Sequence, residues 1–313
     1  MRREDTTWVR RGLTVPRGCK LAIVGATGAR GKAIAEAALA SGAQVKILAR
    51  SSYPLPPSSE MFEVVVGDLS RPDTVVDVTR CCDAVIYTPP LTFNVDQALI
   101  WLSIVMTSAE LAGVRRFVLC CSIRPPDECT GIPALDVKRA LSSRVAASAL
   151  ETVLVRPTLY LGNLLLPAIC ERIVGDARQV VYPLRGDLPC QWITWEDAAV
   201  VAVQAATARW PVAQVLDVGG PETVYGHELA EKIGEGLGIG LAYRQATEDE
   251  TVVGLTGLMG EAAAREVVKL YEWLNTAGQG SLLARETVGR VHDVIASPIA
   301  HWAGAQCWND TTT

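Results

Sequence analysis

The stretch VGATGARGKA, residues 24–33, places a glycine at every third position: 25, 28 and 31. Before it, KLAIVG (20–25) is an unbroken apolar run of the length of a buried strand. After it, GKAIAEAALASG (31–42) has the composition of a helix closed by Gly42, and QVKILAR (44–50) is the next apolar run. Strand, glycine turn, helix and strand make one βαβ unit. At such a junction glycines let the backbone turn tightly and approach a pyrophosphate at the helix N-terminus, where N–H groups lack partners. The spacing G-x-x-G-x-x-G differs from the commoner G-x-G-x-x-G, so its position on the first strand–helix junction is what gives it meaning.

The alternation continues along the chain. FEVVVGD, RPDTVVDVTRC and DAVIYT repeat strand, helix, strand; NVDQALIWLSIVMTSAELAG, RRFVLCCS, ALDVKRALSSRVAASAL and TVLVRPT extend it. Strands this apolar, separated by helices, imply a parallel sheet covered on both faces. The expected fold is α/β, a doubly wound, Rossmann-like sheet with a smaller C-terminal region that covers the substrate. Its expected limits are an arm at 1–19, a dinucleotide-binding domain at 20–165 continued by about 193–220, and a substrate region at 166–192 and 221–313.

Composition narrows the function classes. The chain has 313 residues, 49% of them hydrophobic, with a formal charge of -5, which offers no basic surface for a nucleic acid. The opening MRREDTTWVRRGLTVPRG lacks an apolar core of signal-peptide length, and ALIWLSIVMTSAELAGV is broken by Ser103, Thr107, Ser108 and Glu110. A cytoplasmic protein without membrane or nucleic-acid partners is expected, binding a small molecule and, at most, a second copy of itself in a homodimer. The nine cysteines include no C-x-x-C pair and read as reduced thiols. Cys120 and Cys121 are neighbours on a strand and point to opposite faces, so they cannot share a metal; Cys129 reads as an ordinary loop cysteine.

The end of the second strand bears on which dinucleotide is bound. An NAD site usually offers a carboxylate there for the ribose 2′-hydroxyl. Here the strand ends in Arg50, followed by Ser51 and Ser52. A guanidinium with hydroxyls suits a 2′-phosphate, so NADP(H) is the expected cofactor, with Arg30 of the glycine turn as a second cation on the same side. The plain alternative for both arginines is a solvated surface position.

VGATGARGKA, GDLSRPDTV (67–75), AGVRRFVLCCS (112–122), Lys138, VLVRPTLYLGN (153–163), ITWEDAAVVAV (193–203) and VGGPETVYGHELAEKIGEGLG (218–238) together resemble the NmrA-like, isoflavone-reductase-like branch of the atypical short-chain dehydrogenases/reductases. The resemblance runs from about Lys20 over nearly all the chain. It implies cofactor contacts from Gly25, Thr27, Gly28, Ala29, Arg30 and Gly31, and adenine framing by Asp68 and Leu69. Thr88, Pro89 and Pro90 would approach the cofactor's middle, Ser122 would close the fifth strand, and Pro157 and Thr158 would lie beside the nicotinamide. Asp197 corresponds to an acidic residue that opens a later helix, read as a structural cap.

The chain departs from the short-chain dehydrogenase pattern where the chemistry would lie. Members usually carry Tyr-x-x-x-Lys on one helix face, the phenol moving the proton and the ammonium lowering its pKa while holding the ribose. Four residues before Lys138 stands Ala134. Isoflavone-reductase-like relatives also keep the lysine without the tyrosine. Lys138 is therefore the candidate for ribose binding or acid/base work, against the alternative of a solvated helix lysine. Tyr160 and Tyr87 are the other phenols in reach of the sheet's carboxyl ends, each also readable as core. His227, His292 and His301 are scattered, and no metal-ligating spacing occurs.

The C-terminal third is expected to build the substrate side. PLRGDLPCQW (183–192) is a Pro/Gly-punctuated loop, and TVVGLTGLMGEAAAREVVKLYEWLNTAG holds a long helical pattern. Tyr87, Tyr160, Asn163 and Trp192 are the candidate pocket residues. Trp195, Leu255, Leu258, Met259, Tyr271 and Trp273 are further candidates for an apolar wall that would take an aromatic or polyketide-like metabolite. Three readings stay open: an NADPH-dependent reductase, an NADP(H)-binding regulator without turnover, and a redox-neutral isomerase, cyclase or dehydratase on the same fold.

Overall fold

The computed structural model describes residues 15–51, 59–207, 214–287 and 296–308; Ser52, His292 and residues 1–14 of the expected arm lie outside them. The first unit is β1 (Lys20–Val24), α1 (Ala29–Ala40) and β2 (Gln44–Ala49). Helix α1 starts two residues earlier than its composition suggests, inside the glycine turn, and Gly42 (φ +91°) turns the chain after it. The chain continues through β3 (Phe62–Val66), α2 (Pro72–Thr79), β4 (Ala84–Tyr87), α3 (Val95–Leu111), β5 (Arg116–Cys120), α4 (Pro133–Ala146) and β6 (Glu151–Pro157).

Those six strands lie in the order β3-β2-β1-β4-β5-β6, all parallel. The order reverses at β1, so the strand ends beside it open a crevice for a ligand. Alternation decides the faces. On β1, Leu21 and Ile23 join the core formed with α1 and α6 (Trp195–Thr207), while Ala22 and Val24 join the core formed with α2, α3 and α4. Cys120 and Cys121 likewise fall into opposite cores. Val15 packs against the first of these cores, and Cys19 is buried within it, so the last residues of the expected arm pack onto the domain.

Beyond β6 the chain leaves and re-enters this sheet. It forms β7 (Leu159–Tyr160), α5 (Pro167–Val174), β8 (Gln179–Tyr182) and β9 (Cys190–Ile193), returns through α6 and β10 (Gln214–Gly219), then leaves as β11 (Thr223–Val224), α7 (Gly226–Leu237), β12 (Ala242–Gln245), α8 (Glu248–Met259) and α9 (Glu261–Asn275). The long helical pattern is thus two helices, broken at Gly260 (φ +80°). β13 (Glu286–Thr287) then pairs with β10 in the main sheet, and α10 (Ile299–Ala305) packs on α7. The domain boundary expected at 221 therefore needs correcting, because residues 286–287 belong to the nucleotide-binding sheet.

A third core, with Leu161, Ile173, Tyr182, Trp192, Leu229 and Trp302, holds the substrate-side half together. Asp197, in the first turn of α6, ties the returning chain down: its carboxylate accepts from Ser297 N (3.0 Å) and Ser297 Oγ (3.2 Å). The helix start itself is capped by Thr194, whose Oγ1 accepts from Asp197 N at 2.9 Å, so the cap expected of Asp197 belongs to its neighbour. No helix among the described residues is long and apolar enough to cross a membrane.

Candidate functional site

A single cleft of about 1060 Å³ runs from the glycine turn, over the carboxyl ends of the central strands, to a chamber under α8 and α9. The three glycines have different tasks. A Cβ on Gly25 would stand 2.3 Å from the Thr88 carbonyl oxygen, and one on Gly31 would stand 2.1 Å from the Gly25 carbonyl oxygen, so both keep the turn tight. A Cβ on Gly28 would meet nothing nearer than 3.9 Å, yet Gly28 lines the cleft. With α1 beginning at Ala29, its unpartnered N–H groups face that same space. A pyrophosphate fits this cradle: the backbone supplies donors, and the missing Cβ leaves room.

Along the cleft from the turn, Arg50 follows β2 and lies near Asp68 after β3; Leu69 and Trp101 line the same end. The Asp68 carboxylate accepts from Ser70 N at 2.8 Å and is held below the usual carboxylate range, first by the bonds from Ser70 and then by the Arg50 charge. Arg30 goes the other way. Its guanidinium donates to the carbonyls of Cys121 (3.3 Å) and Pro89 (3.4 Å), at the ends of β5 and β4, across β1 from Arg50. The expectation that both cations share one side is corrected: at the second position of α1, a side chain leans over the strands that the helix start faces.

Lys138 lies on α4 at the middle of the cleft, with Ser122, Thr158 and Tyr160. Its Nζ donates to the Ala134 carbonyl at 2.6 Å, one turn back on its own helix, beside the missing phenol. Burial lowers its pKa; the Cys121 thiol opposes the shift and the Arg30 charge adds to it. Tyr160 is buried, which raises its pKa, and Arg30 beside its hydroxyl pulls the other way. The Thr158 hydroxyl is buried and has no hydrogen-bond partner among the described residues, so the cleft wall presents an unused donor at the end of β6.

The far chamber is apolar, with Leu166, Ile169, Leu255, Met259, Val267 and Leu270 on its walls. A cluster of three polar side chains interrupts it: Asn163 Nδ2 donates to the Tyr182 hydroxyl at 3.2 Å, and that hydroxyl is bonded to the hydroxyl of Tyr271. At the rim, Glu250 receives both Arg244 nitrogens at 2.8 Å, stands 3.3 Å from Arg172, and completes a capping box with Thr247, which fixes the start of α8.

A sequence profile described as NAD(P)H-binding matches residues 25–163. The NAD(P)H azoreductase of Xenophilus azovorans is 29% identical over 214 residues, covering 67% of this chain and 71% of that protein. Among solved structures, a nucleoside-diphosphate-sugar epimerase from Staphylococcus aureus superposes with a TM-score of 0.75 at 17% identity, over 91% of this chain and 99% of that one. The Citrobacter sp. triphenylmethane reductase complexed with NADP(H) gives 0.71 at 15% identity, over 91% and 98%. A mutant of NmrA gives 0.70 at 15% identity, over 92% and 95%. The chain shares the fold of these structures and carries an NAD(P)H-binding profile over residues 25–163.

In this chain the cleft gathers Gly25, Thr27, Gly28, Ala29, Arg30, Gly31, Arg50, Asp68, Leu69, Thr88, Pro89, Ser122, Lys138, Thr158, Tyr160 and Asn163. Of the expected wall, Trp195, Leu255, Met259 and Tyr271 line it too. Others stand elsewhere. Tyr87 is fully buried against Phe117, because its place on β4 points it to the helices on the opposite face. Trp192 lies behind the wall, its ring 5.0 Å from that of Tyr182 and edge-on to it. Ser51 is exposed beside the cleft, Pro157 is spent on pairing with Val218, Leu258 faces solvent, and Trp273 packs over Gly278. Tyr182 escaped the sequence reading altogether: it ends a four-residue strand, QVVY, whose unbroken apolar run is too brief to orient its side chains.

Proposed function

We propose that the protein is an NADPH-dependent reductase of a small apolar metabolite, aromatic or polyketide-like, in which Lys138 stands in for the usual Tyr-Lys pair. The observation that carries this reading is the continuity of the cleft. A cofactor laid over the glycine turn would bring its nicotinamide to Lys138 and Thr158, and the apolar chamber begins there. That chamber suits an uncharged acceptor, and the azoreductase relative supports reduction over the redox-neutral alternatives. Arg50, with no carboxylate at the strand end, favours the 2′-phosphate. Lys138 would hold the ribose hydroxyls, and its lowered pKa suits it to passing a proton. When bound, the cofactor supplies the hydride; the protein orients it and excludes water.

Calorimetric titration with NADPH, NADP⁺ and NADH tests the first half. Wild-type protein should bind both phosphorylated forms more tightly than NADH, and Arg50→Ala should weaken NADPH about tenfold or more while leaving NADH nearly unchanged. Equal losses would remove the argument for NADP(H). For the second half, Lys138→Met should lower NADPH oxidation with quinone and azo acceptors by about a hundredfold; unchanged turnover would remove Lys138 from the chemistry. Tight cofactor binding with no turnover on any acceptor would favour a regulator.

A further inference from the structure

The phenol pair in the apolar chamber has a hydrogen to spare. Tyr182 accepts from Asn163 Nδ2 and shares one bond with the Tyr271 hydroxyl. Two phenolic hydrogens serve that single bond. If Tyr271 donates, the Tyr182 hydrogen is left over; if Tyr182 donates, the Tyr271 hydrogen is. Neither oxygen has another protein partner among the described residues. Both residues and Asn163 line the cleft.

The rings are fixed in place. Tyr182 is 1% exposed. Trp192 meets its ring edge-on at 5.0 Å and Tyr271 does so at 5.5 Å. A donor held rigidly in an apolar, water-poor wall gains more from an acceptor than one in solvent, because leaving it unpaired there is costly. It is also the geometry that stabilises a developing oxyanion without reorganisation.

We propose that Tyr182 and Tyr271, oriented by Asn163, form an oxyanion-binding site and proton source at the apolar end of the cleft, taking the carbonyl oxygen of a conjugated aromatic acceptor. The binding site stands by itself; the proton step rests on the reductase reading. In that step a ring carbon of the acceptor would gain a hydride from the bound cofactor: a C–H bond of the dihydronicotinamide breaks, leaving the oxidised cofactor, a C–H bond forms on the acceptor, which is reduced by two electrons, and the displaced electron pair moves to the carbonyl oxygen. That oxygen takes the spare phenolic proton: one tyrosine O–H breaks, a product O–H forms, and the tyrosinate is reprotonated by water. Where Tyr182 gives the proton, the bonds from Asn163 and from Tyr271 stabilise its tyrosinate in between; where Tyr271 gives it, the bond from Tyr182 does so. For an acceptor whose oxygen reaches this end of the cleft, the pair would supply the proton, and Lys138 would keep the ribose-holding part of its role.

The test uses 4-nitrophenol, ionised, titrated into cofactor-free full-length protein and followed by its absorption. Wild type should bind it, and Tyr182→Phe and Tyr271→Phe should each weaken binding about tenfold or more, with NADPH affinity within about twofold of wild type. Variants that hold the probe as tightly as wild type, or a wild type that does not bind it, would overturn the site. Should Tyr182→Phe fail to fold, the half-buried Tyr271→Phe decides. With a naphthoquinone as acceptor, Tyr271→Phe should lower kcat far more than it raises KM; an unchanged kcat would overturn the proton step. Loss of NADPH binding by the wild type would defeat the reductase reading yet leave the nitrophenolate result intact.

Discussion

Gly28 and Gly31 are three residues apart and do opposite things. Gly31 is a packing glycine: with its would-be Cβ 2.1 Å from the Gly25 carbonyl oxygen and 2.7 Å from the Ala26 Cα, even a methyl group must push backbone aside. Gly28 is a ligand glycine, with open cleft where its side chain would be. Gly31→Ala should therefore lower the melting temperature, with a cost of about 1–3 kcal/mol typical of overpacking. Gly28→Val should melt close to wild type but lose most NADPH affinity; thermal melts paired with calorimetry separate the two. At this scale much was legible in the sequence, because a glycine turn on a strand–helix junction has one common use. The directions of side chains were not. Arg30 swings to the β4 and β5 carbonyls and Tyr87 turns to the opposite face, and both depend on a half-turn of helix or one residue of strand register that no local pattern fixes.

Among the elements, α6 carries the most concentrated interaction. Asp197 in its first turn is buried, and that burial raises its carboxyl to about 6, while the bonds from Ser297 and Thr194 pull it back. A folded-state pKa above that of the unfolded chain means that the folded protein holds this proton more tightly. The contribution is fully present below about pH 4 and is lost as pH rises through about 6. Asp197→Asn, neutral throughout, should flatten that part of the stability profile: compared with wild type, the variant should fare better at about pH 7.5 than at about pH 5 in melting temperature. An equal difference at both values would place the carboxyl's ionisation elsewhere. The acidic residue itself was visible in the sequence, but its partner Ser297 lies a hundred residues on, in the SPIAHW segment that carries His301, where no local pattern marks the contact. The same distance hid the split of the 251–278 pattern into α8 and α9, since Gly260 sits in a run of apolar repeats that continues on either side.

Across the whole molecule the two faces of the sheet and the substrate-side core are threaded together by a chain that crosses between them repeatedly. Cofactor binding at the glycine turn should therefore stabilise the entire fold: NADPH at about a hundred times its Kd adds roughly 2.7 kcal/mol, and the melting curve should move as one transition. A shift confined to one phase would mean that the two halves unfold independently. The doubly wound class was readable because apolar strands alternating with helices leave few other architectures; the threading was not, since β13 is two residues long and carries no strand signature. That short strand pairs with Val218 and Gly219 at the outer border of the sheet. On a ribosome adding about 5–20 residues each second, β10 emerges seconds before the segment that will flank it. During that interval the nascent chain exposes unsatisfied backbone groups along a parallel strand, the kind of template on which neighbouring polypeptides pair. A strand of two residues, arriving late, is thus what shields the Val218–Gly219 end of that border from a neighbouring chain.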